Sequence, residues 1–282
     1  MNSKKNHNRR TVLGTLCSAA GLLAVQPLST TLGKPAVHNL KLGIQIYSLR
    51  GFPVDQALKH AKDLGFEQVE FFGGMFPVTA SDSQINEMLA NVKALGLTIS
   101  AHGVNGFKGD ADANRKIFEF AKKAGIKNIS ADPTPEAFPS LNDLVKEFDI
   151  RIAIHNHGPT HRYNKAVDVL RAIEKWDPRI GACADLGHYI RSGEKPVDVI
   201  RSLQGRLYGV HLKDFAEMKD KTKGVILGQG FLQCSEVFDA LVRANFPADG
   251  ALSLEYEENP KDPIEEIRQC VSIAKKALAS LS

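Results

Sequence analysis

From residue 40 onward, eight short runs rich in β-branched residues alternate with helix-like segments of about 12 to 15 residues. The predicted strands are Leu42–Tyr47, Phe66–Phe71, Leu97–His102, Asn128–Asp132, Arg151–His155, Ile180–Asp185, Leu207–His211 and Ala251–Glu255. Between them lie amphipathic stretches such as Val54–Leu64, Ile85–Leu95, Asn114–Ala124 and Ala166–Lys175. The first three run into Gly65, Gly96 and Gly125, the residue type that closes a helix in the left-handed conformation. Eight βα units in about 245 residues predict an α/β protein with one (β/α)8 barrel, a TIM barrel, over residues 38–282. No linker or low-complexity tract divides that span.

Alternate residues of a barrel strand face the interior and the others face the helices. Counting back in twos from each strand's last residue gives one set: Tyr47-Gln45-Gly43, Glu70-Gln68, His102-Ser100-Thr98, Asp132-Ser130-Asn128, His155-Ala153, Asp185-Cys183-Gly181, His211-Gly209-Leu207 and Glu255-Ser253-Ala251. The other parity holds Ile44, Val69, Ile99, Ile129, Ile152, Ile154, Val210, Leu252 and Leu254, large apolar residues suited to packing under helices. The first set is small or polar and finishes in a hydrogen-bonding or titratable residue at the C-terminal rim, where barrel active sites are built.

The last four predicted strands end in His155, Asp185, His211 and Glu255. Four unpaired polar groups there would be costly to desolvate, whereas one divalent cation would neutralise the carboxylates and accept the imidazole nitrogens. A hydrogen-bonded polar plug, each histidine paired to a carboxylate, is the alternative. Mixed nitrogen and oxygen ligation suits Mn²⁺, Co²⁺, Zn²⁺ or Fe²⁺ better than Mg²⁺. His157 shares the parity of His155 and competes with it as the ligand from the fifth strand. Lys213 shares the parity of His211 and would put a cation beside a developing oxyanion, or else form a rim salt bridge with Asp214. Glu70 and His102, on the inward parity, are expected to orient substrate hydroxyls or to make buried structural hydrogen bonds.

The segments Ile152-Ala-Ile-His-Asn-His-Gly158, Ala184-Asp-Leu-Gly-His188, Val210-His-Leu-Lys-Asp214, Leu227-Gly-Gln-Gly230 and Leu254-Glu-Tyr256 resemble, in order and spacing, the sugar phosphate isomerase/epimerase group of xylose-isomerase-like barrels. That group includes ketohexose 3-epimerases and inosose dehydratase. The resemblance covers residues 40–282 and implies a divalent metal held by Asp185, His211 and Glu255. At the first ligand position this chain has His155 where the family pattern has Glu. In the family's epimerases two metal-bound glutamates are also the two bases. A ligating imidazole has no lone pair left for a proton, so Glu255 alone remains as base. The resemblance therefore implies isomerase or lyase/hydratase chemistry on a sugar or keto-sugar through an enediolate, with a small carbohydrate as partner. His188 matches a substrate-contacting position, with catalytic help from Lys213.

Two other readings compete. One is a non-catalytic sugar-binding barrel. The other, an endonuclease-IV-like repair nuclease, expects an Asp-x-His after the seventh strand, where this chain has Gln229-Gly230-Phe231. Charge opposes it too. The formal +4 comes from Lys4, Lys5, Arg9 and Arg10; without those four of the 36 basic residues, 32 remain against 32 acidic ones. No basic surplus is left to hold a phosphate backbone, so no nucleic-acid partner is expected. Residues 1–33 contain no Asp or Glu and carry Arg9-Arg10 before an apolar run from Val12 to Val25, which reads as a twin-arginine export signal. The barrel is then expected in the periplasm, free of the membrane after cleavage; a homo-oligomer is left open. Cys183, Cys234 and Cys270, widely spaced, read as buried apolar residues.

Overall fold

The computed structural model describes residues 40–281, and the export signal assigned to residues 1–33 lies outside the described residues. Strands β1 (Leu42–Gln45), β2 (Gln68–Phe71), β3 (Thr98–Phe107), β4 (Asn128–Pro133), β5 (Arg151–His155), β6 (Ile180–Asp185), β7 (Leu207–Leu212) and β10 (Ala251–Leu254) close into one parallel barrel. A two-stranded ribbon, β8 (Asp214–Phe215) with β9 (Gly224–Val225), sits in the connection after β7. Helices α1 (Val54–Asp63), α2 (Asp82–Ala94), α3 (Ala111–Lys123), α4 (Phe138–Phe148), α5 (Ala166–Ile173), α6 (Leu186–Arg191), α7 (Pro196–Ser202), α8 (Cys234–Arg243) and α9 (Ile264–Ala279) occupy the connections. Among the described residues no helix is long and apolar enough to cross a membrane.

The helices start where local chemistry lets them. Ser81 caps α2 through a capping box with Gln84, and Asp110 caps α3 by accepting the Ala113 N–H, so both begin earlier than their apolar periodicity suggests. Gly65, Gly96 and Gly125 end α1, α2 and α3 at positive φ, as their placement implied.

Parity decides what faces where. Ile44, Val69, Ile129, Ile152, Ile154, Val210, Leu252 and Leu254 are buried in the hydrophobic layer beneath the helices. Ala153 and Cys183 are equally buried but lie outside that layer, in the narrow interior. Cys183, Cys234 and Cys270 are buried free thiols.

The expected alternation fails on three strands, β1, β3 and β7. In β7 the register slips from Ala182↔Leu207 to Cys183↔Gly209, so Tyr208 is extra and Leu207, placed inward by parity, joins the hydrophobic layer instead. In β3 the register slips from Val69↔Ile99 to Glu70↔Ala101, so one residue, Ser100, is extra. A bulge of one residue inverts the parity that follows. His102 consequently turns away from the mouth: it packs against Phe76 and Phe120, and its Nε2 lies 2.8 Å from the Phe76 carbonyl oxygen. The expectation that it contacts substrate is corrected by that placement. In β1 the strand stops at Gln45, whose side chain accepts the Tyr47 N–H at 3.2 Å and turns Ile46–Leu49 into a 3-10 helix. Tyr47 leaves the barrel interior for the rim.

The connection after β7 is organised by one side chain. The Asp214 carboxylate accepts N–H groups from Phe215, Gly228, Gly230, Phe231 and Leu232, at 2.8–2.9 Å. Asp214→Ala removes the shared acceptor of five amides and is expected to cost roughly 3 kcal/mol. Hydrogen exchange at Gly230 and Leu232 should accelerate; unchanged protection there would contradict this role. A Cβ on Gly181 would collide with the backbone carbonyl oxygen of Arg206 at the β6–β7 seam. Gly181→Ala is therefore expected to destabilise the barrel by about 1–3 kcal/mol in a urea titration.

Candidate metal centre

His155 and Asp185 end β5 and β6, His211 lies one residue from the end of β7, and Glu255 directly follows β10. Register pairs His155 with Cys183, Asp185 with His211 and His211 with Ser253, so the four side chains converge from staggered positions on neighbouring parallel strands. One potential ligand atom from each lies within 4.8 Å of every other, and all four residues are buried. His157 stands outside this group. It lines the cavity above, its ring centroid 4.8 Å from that of His155.

His211 holds the centre together. Its Nδ1 lies 3.1 Å from both His155 Nε2 and Glu255 Oε2. On its far side Nε2 donates to Glu70 Oε2 at 3.0 Å. Glu70 also accepts the hydroxyls of Ser130 at 2.6 Å and Ser253 at 2.7 Å, and no part of it is exposed. The inward parity left Glu70 either to orient substrate or to make buried structural hydrogen bonds, and the structure shows the second. It lies one layer below the mouth, where its oxygens are already taken. Glu70, Cys183 and His211 also cluster within 4.8 Å, but the serine hydroxyls complete a hydrogen-bonded layer there.

Asp185 is positioned by its backbone and by α6. Its N–H donates to Asn156 Oδ1 at 2.8 Å, its carbonyl accepts from Asn156 Nδ2 at 3.0 Å, and its Oδ1 caps α6 through the His188 N–H at 2.8 Å. Oδ2 is left facing His155 Nε2 at 3.6 Å. His188 sits over the same carboxylate, with Nε2 at 3.9 Å, and its Nδ1 faces Arg191 Nη1 at 3.4 Å.

Lys213 reaches back into the centre rather than to Asp214. Its Nζ stands 2.9 Å from Asp185 Oδ2, 2.7 Å from Glu255 Oε2 and 3.3 Å from Glu257 Oε2. Burial opposes its charge, but those carboxylates outweigh it and raise the Lys213 pKa well above the usual lysine range. Burial likewise works against the Asp185 and Glu255 carboxylates. Around Asp185, His188, Lys213 and His155 reverse that penalty, and around Glu255, Lys213 and His211 do so, so both stay below the ordinary carboxylate range. His211 is held high against its burial by Cys183 and the flanking Glu70 and Glu255.

The donor set fits a divalent cation. Two imidazoles and two ionised carboxylates converge, and apart from the Lys213 ammonium at 2.9 Å no well-aimed donor meets the buried Asp185 Oδ2, which an ion would take over from that ammonium. Glu70 takes the Nε2–H of His211, which leaves Nδ1 free to face an ion once it loses its proton, the carboxylate–histidine arrangement common around metals. Sequence reasoning missed Asn156 and the depth of Glu70. The alternation marks which strand face a residue occupies, not its height in the barrel.

Burial sets the acid response. It lowers the His157 and His188 pKa values from 6.5 to about 4 and about 3, so both stay neutral in the fold where the unfolded chain would protonate them. The folded state then binds fewer protons, and stability of the metal-free protein is expected to fall as pH drops from about 6.5 to about 4. Below that, Asp185 and Glu255 add a further loss as the fold gives up its depressed carboxylates. His211, with its raised value, contributes fully throughout this window and does not offset the trend. Urea titrations after chelation would show it, and a flat profile down to about pH 4 would rule it out.

The family model described as xylose isomerase-like TIM barrel matches residues 58–273. The inosose dehydratase of Clostridium tetani is 30% identical over 144 residues, covering 44% of this chain and 47% of that protein. The chain thus spans about half the length of the curated relatives it matches. A solved structure from Parabacteroides distasonis is 30% identical with a TM-score of 0.66, covering 85% of this chain and 99% of that one. The 3-keto-D-glucoside 4-epimerase of E. coli shares the fold with a TM-score of 0.66 at 17% identity, covering 84% and 99% of the two chains. With a match running through nearly the whole of a closed eight-stranded parallel barrel, the chain belongs to the xylose isomerase-like TIM barrel family.

Proposed function

We propose that this chain is a divalent-metal-dependent isomerase or lyase/hydratase acting on an unphosphorylated sugar or keto-sugar. The observation that carries the reading is the convergence of His155, Asp185, His211 and Glu255 within 4.8 Å at the barrel mouth. Relatives named inosose dehydratase and 3-keto-D-glucoside 4-epimerase support the substrate class. The twin-arginine leader supports export and a periplasmic place of work, hence a sugar without phosphate.

When bound, the cation supplies Lewis acidity to a carbonyl and a neighbouring hydroxyl oxygen. The chain's own residues do the rest. Glu255 takes the proton from the carbon beside the carbonyl and returns it, to the neighbouring carbon in an isomerisation or to a departing hydroxyl in an elimination. In the free protein Lys213 holds the Glu255 carboxylate at 2.7 Å and weakens it as a base. When the Lys213 ammonium turns to an oxygen of the substrate, it stabilises the enediolate charge, and Glu255 regains basicity. His188, neutral and with Nδ1 facing Arg191, offers Nε2–H to a substrate hydroxyl. His157, beside His188 on the same cavity wall, helps to orient the sugar. His155 as a ligand cannot be a second base, which sets one-base chemistry above inversion of a stereocentre.

Metal analysis followed by NMR in D₂O with a panel of ketoses and 3-keto-glycosides tests this. The protein should hold about one Mn²⁺, Co²⁺, Zn²⁺ or Fe²⁺ per chain and exchange one carbon-bound proton. Glu255→Gln should slow that exchange by about 10²- to 10⁴-fold. Failure to bind any divalent ion after reconstitution would favour the sugar-binding barrel instead, and wild-type exchange in Glu255→Gln would remove Glu255 as base.

A further inference from the structure

The cavity above the centre has a volume of about 310 Å³, in the range of small-ligand sites. Its two walls differ in chemistry. His155, His157, His188, Lys213, Glu255 and Glu257 line one side. The side built by the ends of β1, β2 and β3 presents Tyr47, Phe72 and Val104, with Gln45 and glycines between them and no charged side chain. Four large apolar residues are conspicuously exposed among the described residues. Two of them, Tyr47 at 36% and Val104 at 40%, border this cavity.

The aromatic wall is held rigid. Tyr47 meets Phe72 edge-on, with centroids 5.1 Å apart and planes at 89°. The Arg50 guanidinium lies 4.3 Å over the Tyr47 ring and donates to the carbonyls of Tyr47 and Glu257, each at 2.9 Å. The Arg50 bond to Glu257 ties the apolar wall to the connection that carries Glu255. Beside Phe72, a Cβ on Gly73 would meet nothing within 4 Å, so space is open there. A fixed aromatic surface costs little conformational entropy on binding, and an uncharged wall cannot hold a phosphate or carboxylate. Its natural complement is the apolar face of a neutral ring.

We propose that Tyr47, Phe72 and Val104 form a subsite for a second ring, so that the substrate is a glycoside whose uncharged aglycone rests on this wall while the keto-sugar reaches the ligand cluster. This rests on the functional reading above and deepens it from a sugar to a ring-bearing glycoside. The subsite was hidden from strand parity because departures from regular strand geometry, the 3-10 turn after Gln45 and the irregular register of β3, shape this wall.

Calorimetry on the metal-reconstituted protein, comparing methyl and phenyl 3-keto-β-D-glucopyranosides, provides the test. The phenyl glycoside should bind about 10-fold more tightly than the methyl one. Tyr47→Ala and, separately, Val104→Ser should each shrink that ratio while leaving methyl glycoside affinity within about 2-fold. Val104→Ser changes a half-exposed side chain and keeps the test alive if Tyr47→Ala misfolds. Equal affinity for the two glycosides, or an undiminished ratio in Val104→Ser, overturns the subsite and leaves the enzymatic reading standing. Binding of neither glycoside overturns both.

Discussion

His211 stands between two carboxylates in the barrel interior, and the mouth is organised around that contact. Glu70 beneath it is fully enclosed, an expensive place for a charge unless every oxygen is satisfied. Ser130, Ser253 and His211 satisfy it, drawing residues from β2, β4, β7 and the last strand into one layer. Burial would raise the Glu70 pKa, but the charge and hydrogen bond of His211, with the two serines, keep it ionised. The imidazole ring is thereby fixed with Nδ1 toward the mouth. His155, Asp185 and Glu255 gather around an atom whose position is set from below.

A lysine inside a would-be metal site raises the question of what balances the charge. In the geometry described, Lys213 bridges Asp185 and Glu255 and so keeps two ligands apart from one another's repulsion. Glu257, at 3.3 Å, offers the same ammonium a partner further toward the rim. An entering cation would repel the ammonium at short range, and a nearby carboxylate gives it somewhere to go without leaving the site. Buried lysines without such partners shift toward neutrality; this one shifts the opposite way, which marks it as a standing positive charge rather than a base.

The fold and the four-residue cluster were both legible in the sequence because β5, β6, the last strand and β7 from Gly209 onward carry regular alternation up to the cluster residues. On such strands one rule fixes facing, and the C-terminal end fixes height. The first half of the barrel obeys less well. Nothing in Leu97–His102 announces that Ser100 is supernumerary, because a serine fits the narrow interior or a bulge equally well, and His102 inherits the error. Tyr47 reads as a fine strand residue; only the Gln45 side chain, competing for its N–H, ends the strand there. Glu70 illustrates a different loss. Its facing was read correctly, but whether an inward carboxylate meets solvent or is roofed over depends on the strands opposite, and that is tertiary information.

Irregularity occurs on both sides of the barrel, at different distances from the rim. On the side that holds His155, Asp185, His211 and Glu255 the register shift falls early, at Tyr208 in β7, and pairing runs regularly from Gly209 up to the cluster. On the opposite side the departures lie near the rim and change what lines it: the turn after β1 sends Tyr47 outward, and the irregular β3 buries His102 and leaves its end to contribute Gly103 and Val104. Had β1 and β3 kept strict alternation, a histidine would face the mouth where an uncharged wall now stands. The candidate ligand cluster and the uncharged wall thus come from different strands of one sheet, which closes despite its bulges.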